Sequence, residues 1–157
     1  MREIIPFADK VRPDLILLGV EGDTRDEVLT NIANVLVEKG IAKESFPAAL
    51  LAREREYPTG LALGELNLAI PHAHPEHINE ITVTIAVPKR PVVFQDMGDP
   101  DSGVLVSVVV CLTLQKLDDN IKMLPALMEF FAQEEHLRSI LACTDPAQVM
   151  ALLPGRE

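Results

Sequence analysis

The sequence predicts a single α/β domain over residues 1–157, with a mixed β-sheet of about four to six strands flanked by helices. Two observations carry this prediction. Short apolar or alternating runs typical of strands lie at residues 15–20, 81–87 and 104–114. Apolar residues recur at helical spacing in the segments between and after these runs, and this mixture predicts a sheet with helices packed on it.

The N-terminal part predicts one strand followed by two helices. Residues 15–20 form an apolar run that suits a buried strand. Thr24 and Glu27 have the spacing of a capping box, and the helical pattern that begins there ends at Gly40. A second helix is expected after Ser45, with a proline in its first turn.

The remaining segments predict further strands and then C-terminal helices. Prolines and glycines punctuate residues 57–75, which favours strands and turns over helix. Alternation over 81–87 predicts a half-buried strand, and 92–94 a short edge strand. The β-branched run 104–114 predicts one central strand. Helical spacing then predicts two or three helices, the last opened by residues 145–146.

Composition narrows the class of protein. The chain has 24 acidic and 14 basic residues and a formal charge of −10, which argues against nucleic-acid binding and is compatible with a basic protein partner. The N-terminus lacks the apolar stretch of a signal peptide, and the longest apolar run is too short to cross a bilayer. We therefore expect a cytoplasmic protein without direct membrane insertion. The two cysteines do not predict a disulfide framework.

Three of the four histidines lie within six residues, in the segment Pro71-His72-Ala73-His74-Pro75-Glu76-His77. The imidazoles could bind a metal together with Glu76, or one of them could be a nucleophile in phosphoryl transfer. They could also be plain exposed loop residues. Against a metal, Pro75 makes the path to His77 uncertain, and no cysteine lies nearby in the sequence.

The segments before the cluster favour phosphoryl transfer. Arg53-Glu54-Arg55-Glu56-Tyr57-Pro58-Thr59-Gly60 is followed by Ala69-Ile70-Pro71-His72. This ordered set resembles the EIIA component of the bacterial phosphoenolpyruvate-dependent sugar phosphotransferase system, of the fructose–mannitol superfamily. The likeness covers nearly the whole chain. The Arg-Glu-x-x-aromatic-Pro-Thr-Gly pattern and the acidic loop 96–101 are most similar to galactitol-type EIIA.

The resemblance implies a fold, a function and a set of partners. The fold would be the EIIA sandwich, and the protein would be a phosphotransferase that carries a phosphoryl group in sugar uptake. His72 would accept the group, through Nε2, from phosphorylated HPr and pass it to a cysteine of an EIIB domain linked to a membrane EIIC. No cofactor and no metal are expected beyond the phosphohistidine intermediate. A stand-alone regulatory module that signals by its phosphorylation state is the alternative.

Arg53 is the residue expected to assist His72 most directly. It matches the arginine of the family motif, and a guanidinium suits phosphoryl oxygens because it stays charged and offers several donors. Since phosphoryl transfer depends mainly on positioning and charge neutralisation, such a group is required near the reacting histidine. The alternative for Arg53 is an ion pair with Glu54 or Glu56 on the helix surface.

Five other residues are candidates for binding or positioning the phosphoryl group. Thr59 could donate its hydroxyl or only shape the turn, and Gly60 would permit a positive φ or a close backbone approach. Pro71 would hold the chain extended before His72. His74 could touch the phosphoryl group, orient His72 or be solvated. Mannitol- and fructose-type relatives often carry a second active-site histidine where this chain has Asn120, whose amide donates a hydrogen bond but has no charge.

Overall fold

The computed structural model describes residues 7–114 and 117–153, and for Ala8 and residues 117–122 it describes the backbone alone. The β-strands of these residues are β1 (Ile16–Val20), β2 (Gly60–Leu61), β3 (Leu68–Ala69), β4 (Thr82–Pro88), β5 (Val92–Gln95), β6 (Gly103–Val106) and β7 (Val108–Thr113). The α-helices are α1 (Arg25–Glu38), α2 (Phe46–Glu56), α3 (Leu117–Phe131), α4 (Glu134–Leu141) and α5 (Pro146–Leu152).

Five of these strands form a mixed sheet in the order β1-β4-β7-β3-β2. β1 is parallel to β4, β4 is antiparallel to β7, β7 is parallel to β3, and β3 is antiparallel to β2. β5 and β6 form a separate antiparallel ribbon. The predicted fold class, a mixed sheet of four to six strands with flanking helices, is confirmed.

Helices cover both faces of the sheet. One apolar core joins alternate residues of β4 and β7 to α3, α4 and α5, with Phe131, Ile140 and Val149 fully buried or nearly so. The other core joins the remaining alternate residues to α1, α2 and the β5–β6 ribbon, where Ile32 and Leu50 are fully buried. The sheet therefore has an apolar core on each face, and both cores consist mainly of aliphatic side chains.

The predicted helix boundaries are confirmed by capping contacts. The Thr24 hydroxyl accepts a hydrogen bond from Glu27 N at 3.2 Å, and the Glu27 carboxylate accepts one from Asp23 N at 2.7 Å. Gly40 ends this part of the chain with a φ of +75°, a conformation that favours glycine. The Asp145 carboxylate accepts from Ala147 N at the start of α5. Within the described residues, no helix is long and apolar enough to cross a membrane.

The prediction of a half-buried strand at 81–87 is wrong. β4 lies between β1 and β7, and nearly every residue in it is buried. Its polar alternate positions therefore face a second core and not water. Thr82 is accommodated there because its amide donates to Thr113 Oγ1 at 2.9 Å and the two hydroxyls hydrogen-bond each other.

The prediction of one strand at 104–114 is also wrong. The run divides into β6 and β7, which belong to different sheets, with Ser107 between them. The amides of Ser107 and Val108 both donate hydrogen bonds to the Asn67 carbonyl, at 3.0 and 3.4 Å. Apolar residues continue through the break, although Leu105 of β6 is exposed, so hydropathy alone does not reveal it.

Candidate functional site

His72 lies on the extended segment that follows β3 and runs beside the end of β7. It forms a parallel bridge with Leu112, whose amide donates to the Pro71 carbonyl at 3.0 Å. Ala73 and Pro71, on either side, are buried, whereas His72 is half-buried. Pro71 has a fixed φ and no amide hydrogen, which favours an extended conformation of this segment. The backbone of the candidate nucleophile is therefore held on a central strand of the sheet.

The imidazole of His72 has one bound nitrogen and one available nitrogen. Nδ1 donates to the Ile70 carbonyl at 3.2 Å, because a carbonyl oxygen only accepts. No hydrogen bond reaches Nε2 from the described residues. Burial lowers the pKa of His72, and the charge of Arg53 lowers it further, while the Ile70 hydrogen bond opposes them. The ring is thus neutral at neutral pH with the Nε2 lone pair free.

Arg53 lies in the last turn of α2 and contributes positive charge close to His72. Its guanidinium carbon lies 4.2 Å from the centroid of the Tyr57 ring. Its Nε is buried and has no hydrogen-bond partner among the described residues. Among the described residues, the alternative ion pair of Arg53 with Glu54 or Glu56 is not present. A buried guanidinium nitrogen without a partner is uncommon, because leaving it unsatisfied costs free energy.

Glu54 is a site residue that the sequence did not single out. Its side chain is 1% exposed and its two carboxylate oxygens accept hydrogen bonds from Thr59 N at 2.8 Å and Thr59 Oγ1 at 2.9 Å. Burial raises the pKa of Glu54 to about 7, although the Thr59 hydrogen bonds and the charges of Arg25 and Arg53 lower it. The available signal was spacing, since Glu54 follows the buried Phe46 and Leu50 at intervals of four residues.

The Thr59–Gly60 turn connects this carboxylate to the histidine segment. Thr59 is buried, and its hydroxyl donates to Glu54 and accepts from Ile70 N at 3.2 Å, so it shapes the turn and has no free donor for a phosphoryl group. Gly60 does not have a positive φ. A Cβ on Gly60 would lie 2.5 Å from the Gln95 carbonyl oxygen, so the close backbone approach is the alternative that applies.

The other histidines do not join His72. His74 is exposed and its ring makes no hydrogen bond to the described residues, so it does not orient His72. The Nδ1 of His77 is joined by a 2.8 Å hydrogen bond to Ser45 Oγ. The described part of the chain contains no group of three His, Cys, Asp or Glu side chains arranged to hold a metal ion. Asn120 lies in α3 within the stretch whose side chains are outside the described part.

Comparison with known proteins gives one family. The family model of the phosphoenolpyruvate-dependent sugar phosphotransferase system, EIIA 2, matches residues 10–154. The galactitol-specific EIIA component of Escherichia coli K12 is 33% identical over 123 residues, which cover 78% of this chain and 81% of that protein. The transcriptional regulator ManR of Bacillus subtilis is 30% identical over 79 residues, 50% of this chain and 12% of that protein.

Solved structures have the same fold. The structure of the Escherichia coli complex between enzyme IIA and phosphorylated enzyme IIB of the mannitol system contains a chain that matches with a TM-score of 0.76. The identity is 21%, and the match covers 93% of this chain and 99% of that chain. At this identity the likeness establishes the architecture, and the roles of individual residues depend on the geometry given above.

Proposed function

The chain belongs to the EIIA 2 family of the phosphoenolpyruvate-dependent sugar phosphotransferase system, and on this premise we propose that it carries the phosphoryl group on Nε2 of His72. One observation carries the proposal. A neutral, half-buried imidazole has its Nδ1 bound to a backbone carbonyl, and its Nε2, close to the charge of Arg53, receives no hydrogen bond from a described residue. This is the state that a histidine nucleophile requires.

The first transfer is a substitution at phosphorus. The Nε2 lone pair of His72 attacks the phosphoryl group of phosphorylated HPr, the bond from phosphorus to the donor breaks, and the donor leaves with that electron pair. Nε2 has no proton to lose, because Nδ1 bears the ring hydrogen and donates it to Ile70. In the second transfer a cysteine thiolate of an EIIB domain attacks phosphorus, and the bond to Nε2 breaks.

Arg53 is the group that neutralises the transferred phosphoryl oxygens. Its Nε hydrogen is buried and finds no acceptor in the part of the chain that the structure describes, and an equatorial phosphoryl oxygen would supply one. The stacking of its guanidinium on Tyr57 limits the directions in which the donors point. Arg53 thereby contributes positive charge and directed hydrogen-bond donors. Charge neutralisation and positioning are the main requirements of phosphoryl transfer.

The galactitol pathway is the transport system that the comparisons favour. The match to the galactitol-specific component spans most of both chains, whereas the match to the regulator spans half of this chain and a small part of that protein. We therefore propose a galactitol-type EIIB domain as acceptor, and through it a membrane EIIC. A regulatory module would accept the phosphoryl group from HPr but would not pass it to this EIIB domain.

The proposal is tested by reconstituting the relay from phosphoenolpyruvate, enzyme I and HPr. We expect the intact mass of the chain to rise by one phosphoryl group that brief acid treatment removes, and we expect His72→Ala to prevent this gain without unfolding the protein. Subsequent addition of a galactitol-type EIIB domain should move the group to its cysteine. Full phosphorylation of His72→Ala would contradict the assignment, and retention of the group in the presence of EIIB would contradict the transport role.

A further inference from the structure

We propose that Glu54 is a positioning residue for the phosphoryl transfer, and that it sets the orientation of the His72 imidazole through Thr59 and Ile70. The kinetic part of this inference rests on the proposed function. Its geometric part concerns the unphosphorylated protein and stands without it.

A continuous set of hydrogen bonds joins the Glu54 carboxylate to the His72 ring. Thr59 donates to both carboxylate oxygens, through its amide at 2.8 Å and its hydroxyl at 2.9 Å. The Ile70 amide donates to Thr59 Oγ1 at 3.2 Å and to the Thr59 carbonyl at 3.3 Å. The Ile70 carbonyl then accepts from His72 Nδ1 at 3.2 Å. The acceptor that fixes the ring tautomer thus belongs to a residue whose amide is held by the Glu54–Thr59 pair.

A carboxylate is suited to this position because it only accepts. Both groups that face its oxygens, the amide and the hydroxyl of Thr59, are donors. Once the Thr59 hydroxyl donates to Glu54, its oxygen is turned to accept from Ile70 N. A protonated acid or an amide at the same place offers one acceptor and one donor, so the direction of the hydroxyl hydrogen would no longer be determined.

The surroundings of Glu54 indicate a role beyond packing. The side chain is 1% exposed, and burial of a carboxylate costs free energy that an apolar residue would not incur. The charged groups close to it are Arg25 from α1 and Arg53 of its own helix, and the Cys111 thiol approaches it from β7. The same arginine that acts on His72 therefore also interacts with Glu54, so the carboxylate couples the two functional residues.

Two pairs of variants test the inference. Glu54→Gln removes one acceptor, and Glu56→Gln changes an exposed carboxylate of the same helix as its control. Thr59→Val removes the hydroxyl, and Thr59→Ser restores it. For each full-length variant, long-range proton–nitrogen NMR of the unphosphorylated protein reports the tautomer of His72. Single-turnover phosphorylation over a range of phosphorylated HPr concentrations, measured from pH 6 to pH 9, reports the maximal rate and the KM for the donor.

Above pH 7, where Glu54 is ionised, we expect wild type, Glu56→Gln and Thr59→Ser to hold the His72 hydrogen on Nδ1 and to react at similar rates. Glu54→Gln and Thr59→Val should mix the two tautomers and slow the transfer by about tenfold to a hundredfold, as misplacement of a reacting group does, with the KM for the donor nearly unchanged. The ratio of the wild-type rate to the Glu54→Gln rate should fall as pH falls through about 7, because protonation makes Glu54 resemble Gln.

Other outcomes overturn the inference. It fails if Glu54→Gln and Thr59→Val keep the wild-type tautomer and rate, or if Thr59→Ser loses as much rate as Thr59→Val. If Glu54→Gln does not fold, the two Thr59 variants decide alone. If wild type is not phosphorylated at all, the proposed function fails, and the tautomer measurements still decide whether Glu54 positions the ring.

Discussion

His72 and Arg53 each keep a nitrogen that no described residue satisfies. For His72 this is Nε2, opposite the nitrogen bound to Ile70, and for Arg53 it is the buried Nε. In contrast, the Thr59 hydroxyl donates a hydrogen bond to Glu54 and accepts one from Ile70 N. At the scale of residues, an unpartnered nitrogen, and not polarity alone, distinguishes the two residues proposed to act on the phosphoryl group from those proposed to support them.

Substitution of Arg53 tests the role of the unpartnered nitrogen. Arg53→Gln removes the charge and should reduce kcat/KM for phosphoryl acceptance by about 10²–10³, the usual cost of losing a preorganised transition-state donor. Arg53→Lys keeps the charge without the planar set of donors and should lose less. Arg55→Gln is the control, since Arg55 is exposed and pairs with Asp26. Equal losses for Arg53→Gln and Arg55→Gln would contradict this role.

The buried carboxylate of Glu54 should make stability depend on pH. Because its pKa is about 7 when folded and 4.5 ordinarily, the native state retains a proton between these values that the unfolded state has released. Stability contributed by the protonated form is therefore lost as pH rises through this interval, by about 3 kcal/mol in total. His72 acts oppositely, since its pKa is lowered and its contribution is lost as pH falls below 6.5.

Urea unfolding of wild type and Glu54→Gln at several pH values isolates the Glu54 effect. The free energy of unfolding of wild type, relative to the variant, should fall as pH rises from about 5 to about 8. Above pH 6.5 His72 contributes little to the difference, because its lowered pKa leaves the folded ring neutral there. A difference that is constant or that increases with pH would show that Glu54 remains ionised throughout.

At the scale of elements, sequence patterns predicted what local chemistry determines. Caps and turns gave both ends of α1 and the starts of α2 and α5, and an apolar run gave β1. The same patterns did not predict the break at Ser107 or the burial of Thr82 and Thr84, because both depend on a second layer that packs on the sheet. Local periodicity shows that one face of a strand or helix is apolar, but it does not show which other element packs on that face.

The turn between α2 and β2 shows how tightly the elements near the site are packed. Gly60 lies against the β5–β6 ribbon, where a Cβ would meet the Gln95 carbonyl oxygen at 2.5 Å. Gly60→Ala should lower the free energy of unfolding by about 1–3 kcal/mol, the cost of overpacking, and should slow phosphorylation because the same turn contains Thr59.

Gly98→Ala is the matched control for Gly60→Ala. A Cβ there would lie 3.7 Å from an Asp96 carboxylate oxygen, an ordinary contact in an exposed loop. Its stability should stay within about 0.5 kcal/mol of wild type. If Gly60→Ala were equally neutral in urea unfolding, the close approach would not constrain the turn.

At the scale of the molecule, the sheet order brings the two proposed functional residues, His72 and Arg53, close to each other. The short strand β3 is parallel to the central strand β7. The segment that follows β3 therefore continues along β7, where His72 forms a bridge with Leu112. The end of α2 approaches the same place because the Thr59 turn connects it to β3 through Ile70. The motif named both residues as candidates in the sequence, but the hydrogen bond and tautomer of His72 and the burial of Glu54 follow from this three-dimensional arrangement.

The most direct test of the central claim is to identify the phosphorylated atom. Uniformly ¹⁵N-labelled protein, phosphorylated through enzyme I and HPr, can be analysed by long-range proton–nitrogen NMR. The account predicts that the phosphoryl group is on Nε2 of His72 and that Nδ1 retains its hydrogen. Phosphorylation of Nδ1, or of His74, His77 or His136 in place of His72, would contradict it.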